Sequence, residues 1–119
     1  MHEKKENNMK RISAFFEGKV IEFNGWECLA VAGKYPSGHL FINLVDSITK
    51  YHVARITLNL DNVPVIEDLI IIKSYAENAG MYEALLKHKI VKPCERKLNI
   101  GFVQAHVCFL DIPVDSSLN

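Results

Sequence analysis

The sequence predicts a single α+β domain: a curled antiparallel sheet, or a small barrel, of about six strands with one helix. Runs of β-favouring residues separated by turn residues extend over about residues 19–72, and an alternating run returns near the C-terminus. Between them, over about residues 75–89, the apolar residues change to a helical period. Because one face of such a sheet is apolar, a helix is needed to cover an open side or end.

Length and composition are those of one globular domain. The chain has 119 residues, of which 49% are hydrophobic, enough to build one core without a metal or disulfides. Residues 1–11 are charged and polar, which predicts a flexible arm, and Met9 is a second candidate for the start of the protein. The α+β domain is expected over residues 12–112 and a loose tail over residues 113–119.

Composition also bears on the compartment. The three cysteines are odd in number and form no Cys-x-x-Cys pair, which favours a reducing cytoplasm over a disulfide framework. The chain shows no apolar run of the length that a membrane span needs. The first eleven residues have no apolar stretch typical of a signal peptide. We therefore expect a cytoplasmic protein without membrane contact.

The first two strands are predicted on either side of Asn24-Gly25, over residues 19–23 and 26–32. Asn-Gly between two β-rich runs indicates a hairpin, because a type I′ turn needs positive φ at both central residues. A second turn is predicted at residues 35–38, where Pro36 presets φ and Gly38 accepts the last position.

The third strand is predicted over residues 39–45 and the fourth over about residues 50–60. Alternation in the fourth separates two sets of side chains. Those predicted to face the core are Ala54, Ile56, Leu58 and Leu60, and those predicted to face solvent are Arg55, Thr57 and Asn59. The continuous apolar run Leu69–Ile72 predicts a fifth strand that is covered on both faces.

One helix and one closing strand complete the prediction. Ser74 and Glu77 have the Ser-x-x-Glu spacing of a capping box, which places the helix start nearby. The helix is expected to end near Lys89, since Pro93 follows shortly afterwards. A last strand is predicted over residues 101–112.

The most suggestive charged segment lies at the helix C-terminus and in the loop expected after it. Its basic residues are Lys87, Lys89, Lys92, Arg96 and Lys97. Three interpretations are open: a solvated surface favoured by the helix dipole, a contact for RNA or DNA, or a contact for an acidic protein. The net charge of zero weighs against a dedicated DNA-binding domain.

Few other residues carry recognisable chemistry. Trp26, directly after the tight turn, is a candidate anchor for binding a partner, although packing over the hairpin is the favoured interpretation. His106 and Cys108, two apart on one strand, could share a metal, although the paired spacing of structural zinc sites is missing. Cys94 has basic neighbours that favour a reactive thiolate. We predict no catalytic residue and no cofactor.

A family resemblance adds context to these residues. The stretch Ile72–Gly80, followed by Leu85 and Ile90-Val91, resembles a family of small uncharacterised proteins carried by mobile elements and phages of anaerobic bacteria. The likeness covers about residues 26–112 and includes the run Gly101-Phe102-Val103. At the helix exit this chain has Lys89 where the family pattern has glycine.

The resemblance implies a non-enzymatic binding protein from a phage or mobile element, for example an inhibitor of a host defence complex of the anti-CRISPR type. Its partner would be a host protein or ribonucleoprotein complex. Two alternatives stay open: a small nucleic-acid-binding module with RNA contact, and a metal-dependent protein that uses His106 and Cys108. A homodimer through an exposed sheet edge is a further option.

Overall fold

A computed structural model describes residues 2–94 and 96–113, with side chains from residue 8 onward. The described residues form two α-helices, seven strands and a 3-10 turn (Ala76–Asn78). The helices are α1 (His2–Phe16) and α2 (Met81–Lys87), and the strands are β1 (Ile21–Phe23), β2 (Trp26–Lys34), β3 (Leu40–Asp46), β4 (His52–Arg55), β5 (Leu69–Lys73), β6 (Arg96–Ile100) and β7 (Val103–Phe109). Neither helix is long and apolar enough to cross a membrane.

The strands form two antiparallel sheets, ordered β1-β2-β3-β4 and β5-β7-β6. Residues 56–58 connect them. The Ile56 N–H donates to the Ile42 carbonyl (2.9 Å), and two residues later the Leu58 N–H donates to the Ile71 carbonyl (2.9 Å). The chain thus leaves the first sheet and joins the second, which makes the assembly curl. The predicted α+β class is confirmed, with two open sheets and seven strands instead of about six.

Helix α1 packs on the first sheet. Residues 2–11, predicted to be a flexible arm, instead form the first part of this helix. Met9, Ile12 and Phe16 have helical spacing and pack into the core, where the small side chains of Ala30 and Ala32 on β2 leave room for the helix. The arm was expected because charged residues outnumber apolar ones there. Of the predicted tail, residues 114–119 lie outside the described residues.

The predicted fourth strand ends early, at Arg55. Ala54 and Ile56 face the core as predicted, but Thr57 is buried rather than exposed to solvent. Its hydroxyl accepts the Ile42 N–H (3.1 Å) and lies 3.2 Å from the Tyr35 hydroxyl. The side chain therefore satisfies a backbone donor where the chain changes sheets, which alternation cannot reveal.

The predicted helix over residues 75–89 is shorter and begins later. A 3-10 turn comes first, then Gly80 takes φ +88° and α2 begins at Met81. The expected capping box is wrong: the Ser74 hydroxyl accepts the Tyr82 N–H (3.0 Å), and Glu77 pairs with Lys73. The left-handed glycine ends the first turn, so a continuous helix cannot form.

The predicted last strand is one arm of a hairpin. β7 pairs with β5 on one side and with β6 on the other. β6 begins within residues that were predicted to form a basic loop. The strand was missed because the polar residues Arg96, Lys97 and Asn99 hide the alternation of Leu98 and Ile100. Strand β5 is buried throughout Leu69–Ile72, as predicted from its continuous apolar run.

Candidate protein-binding surface

The fold separates the five basic residues of the predicted segment. Lys87 ends α2 and Lys89 follows it, while the Lys92 N–H pairs with the Phe109 carbonyl (3.0 Å) beside β7. Arg96 and Lys97 begin β6 rather than lying in a loop, and consecutive strand residues project to opposite faces. The sequence-predicted basic segment is therefore not one continuous surface.

The C-terminus of α2 contacts the edge of the first sheet. The His88 ring nitrogen Nε2 accepts the Glu22 N–H of β1 (3.1 Å). This bond covers part of a strand edge that would otherwise be free to pair. Lys87 and Lys89 thus lie near β1, whereas Lys97 lies opposite His106 in the second sheet.

His106 packs against another aromatic ring instead of facing a metal site. Its ring stacks on Tyr82, with centroids 4.3 Å apart. Burial lowers its pKa, and the positive charge of Lys97 lowers it further. Cys108 lies on the same face of β7 but is almost fully buried. Within residues 2–94 and 96–113 no group of three His, Cys, Asp or Glu side chains could hold a metal.

Trp26 begins β2 and is 53% exposed. It pairs with Phe23 at the end of the β1–β2 ladder. Asn24 and Gly25 both have positive φ, 51° and 83°, which confirms the hairpin predicted from Asn-Gly. The tight turn fixes the backbone on which the indole is displayed.

Two further apolar side chains, missed at the sequence level, project from the turn between β3 and β4. Ile48 is 87% exposed and Tyr51 77%. The Asp46 carboxylate orders this turn, because its Oδ1 accepts the N–H groups of Ile48 and Thr49, both at 2.9 Å. These bonds lower the pKa of Asp46, that from Thr49 most, followed by that from Ile48. An Asp opening a turn was the available sequence signal.

Register places these three residues at the same end of the first sheet. Cys28 pairs with Asp46, and the Ser47 N–H donates to the Glu27 carbonyl (2.9 Å). Trp26 therefore lies next to the turn that carries Ile48. We call Trp26, Ile48 and Tyr51 the turn-end surface. Large apolar side chains exposed on ordered turns are typical of protein contacts.

Acidic groups border the turn-end surface. Glu22 and Glu27 are directly opposite each other on β1 and β2, and both are exposed. Like charges in this position destabilise a sheet slightly. The Asp46 carboxylate, paired with Cys28, lies on the other face of the sheet, and Lys50 of the same turn partly balances its charge. A partner with a basic rim would relieve the repulsion between Glu22 and Glu27.

A cavity of about 360 Å³ lies between α1 and residues 65–69. His39 lines it, but both ring nitrogens have partners: the Ser37 hydroxyl at 2.9 Å and the Val63 carbonyl at 2.7 Å. Arg11 of α1 closes one side with a two-pronged ion pair to Asp68, at 2.9 and 2.5 Å. His39 therefore connects the turn that contains Ser37 to the loop that contains Val63.

Comparisons with protein-family models, curated proteins and solved structures find no match to this chain.

Proposed function

We propose that this chain is a non-enzymatic protein-binding module that contacts its partner through the turn-end surface, with Trp26 as the anchor. The observation that carries the proposal is the exposure of three large apolar side chains, each by more than half, at one end of the first sheet. Trp and Tyr are the residue types that contribute most to binding energy at interfaces.

The ordered turns support the same proposal. Binding costs free energy when loops must be ordered at the interface. Here the backbone is fixed in advance by the two hydrogen bonds that the Asp46 carboxylate accepts and by the Asn24-Gly25 turn. A partner would therefore meet an arranged surface, so less of the contact energy would be lost.

The acidic border indicates the chemistry of the partner. The exposed pair Glu22 and Glu27 favours a protein that has Lys or Arg beside its apolar pocket. Together with the family resemblance, this suggests a host protein or ribonucleoprotein in the bacterial cytoplasm, such as a defence complex that the chain inhibits in the anti-CRISPR manner.

Affinity capture from a bacterial lysate, with and without nuclease, tests the proposal. We expect a stoichiometric protein partner that survives nuclease and is lost with Trp26→Ala. The matched control is Phe102→Ser, which removes a fully exposed aromatic ring from the second sheet and should leave capture unchanged.

Two results would contradict the proposal. Equal loss of the partner in both variants would show that general surface hydrophobicity, rather than the turn-end surface, retains it. Recovery of nucleic acid alone, removed by nuclease and falling steeply with salt, would instead favour the nucleic-acid module.

A further inference from the structure

Cys94 precedes β6 and lies beside the second sheet, in which Cys108 belongs to β7. The Lys92 N–H pairs with the Phe109 carbonyl, and Arg96 pairs with Val107. Three residues separate Lys92 from Arg96, but only Cys108 separates Phe109 from Val107. Cys94 therefore lies between these two pairings, on the stretch of chain that passes Cys108.

The two thiols share one environment. Cys94 packs against the core cluster that contains Cys108, and both side chains line a cavity of about 280 Å³ together with Pro93, Arg96 and Phe109. Burial raises the pKa of the Cys108 thiol, and the neighbouring Cys94 raises it further. The Cys94 Sγ–H donates to the carbonyl of Arg96 (2.9 Å), another residue that lines this cavity.

We propose that Cys94 and Cys108 form an oxidation site that closes to an intramolecular disulfide when a peroxide enters this cavity. The Cys94 thiolate attacks one peroxide oxygen, the O–O bond breaks, and after proton transfer the products are a sulfenic acid and water. The Cys108 sulfur then attacks the sulfenic sulfur, which releases a second water. Two thiols are oxidised and one hydrogen peroxide is reduced to two waters.

The structure assigns the two roles. Cys94 is only partly buried, so it is the thiol that a peroxide meets first. Cys108 is 1% exposed, so it is the thiol that reacts second. The third cysteine, Cys28, is fully buried in the first sheet and faces the Trp26 carbonyl instead.

The test treats the full-length folded chain with a small excess of hydrogen peroxide. After quenching and blocking of thiols under denaturing conditions, the peptides are mapped by mass spectrometry without reduction. We expect a linked peptide pair that joins Cys94 to Cys108, with Cys28 recovered as a blocked thiol. The three free thiols should fall to one without formation of dimers.

Variants separate the site from general oxidation. Cys28→Ser should still form the disulfide, whereas Cys94→Ser should form none and keep Cys108 reduced. A linkage that includes Cys28, a dimer joined through Cys94, or sulfinic acid at Cys94 without a linked peptide would overturn the proposal. The wild-type peptide map decides the question even if Cys108→Ser does not fold.

Discussion

Lys89 occupies the left-handed position that ends α2, with φ +58°. The Lys89 N–H donates to the Leu86 carbonyl (3.0 Å) and the Ile90 N–H to the Leu85 carbonyl (2.8 Å), which is the Schellman arrangement. Glycine normally takes this position because a Cβ costs about 1 kcal/mol there. The helix is closed by these bonds and by burial of Ile90 in spite of that cost.

Lys89→Gly should therefore increase the free energy of unfolding by about 0.5–1 kcal/mol, since glycine removes the strain but adds entropy to the unfolded chain. Urea unfolding measures this change. Lys87→Gly is the control. Lys87 lies two residues earlier, at the last position of α2, and its replacement by glycine should decrease stability by about 0.5–1 kcal/mol. A decrease with both variants would contradict the left-handed assignment.

Asp46 makes the turn between β3 and β4 sensitive to acid. Its folded-state pKa is lowered by the hydrogen bonds from Thr49 and Ile48, so its contribution to stability is present above the unfolded pKa of about 3.9. That contribution is lost as the pH falls through the folded pKa. Asp46→Ala should lower Tm at pH 7 and converge with wild type in strong acid.

Thermal unfolding of the two proteins across this pH range measures the effect. Asp61→Ala is the control, because Asp61 is exposed and, among the described residues, its side chain makes no hydrogen bond. It should leave Tm nearly unchanged at pH 7. A constant difference between Asp46→Ala and wild type at every pH would contradict the role of the carboxylate.

At the scale of elements, α1 is part of the core rather than an appended arm. Ile12 is fully buried, and Phe16 is nearly so. Ile12→Ala should lower the free energy of unfolding by about 2–4 kcal/mol, because it leaves a cavity beneath the helix. The exposed neighbour Lys10→Ala should change it by less than about 0.5 kcal/mol. An equally small effect of Ile12→Ala in urea unfolding would show that the helix is dispensable.

Elements with a strong local signal were predictable. Asn24-Gly25 located the first hairpin, and the run Leu69–Ile72 located the strand buried on both faces. The elements that differ from the prediction are those whose structure depends on tertiary contacts. β6 is ordered by pairing with β7 in spite of its charged residues, and Gly80 interrupts a helix whose periodicity looked continuous.

The candidate site was predictable only in part. Trp26 could be named from its place after a tight turn, but Ile48 and Tyr51 become its neighbours through the pairing of β2 with β3. The basic segment shows the reverse case. Its residues are close in sequence, yet they belong to α2, to the stretch that follows it and to β6. Residues far apart in sequence, such as Trp26 and Ile48, are thus close in space, whereas neighbours in sequence such as Lys92 and Arg96 belong to different parts of the fold.

For the whole molecule, the two sheets carry separate features. The turn-end surface belongs to the first sheet, and the thiol pair belongs to the second, joined to the first by residues 56–58. The proposed Cys94–Cys108 site and the proposed partner contact can therefore be altered independently. Because the net charge is zero, a partner would be oriented by local charges, such as those of Glu22 and Glu27 near Trp26.

Site-specific photo-crosslinking tests the binding account most directly. A photoreactive phenylalanine analogue is introduced at position 26, or at position 102 as the control, and the protein is irradiated in a bacterial lysate. The account predicts one crosslinked protein species from position 26, resistant to nuclease and not formed from position 102. Identical crosslinks from both positions, or crosslinks from position 102 alone, would contradict a contact through the turn-end surface.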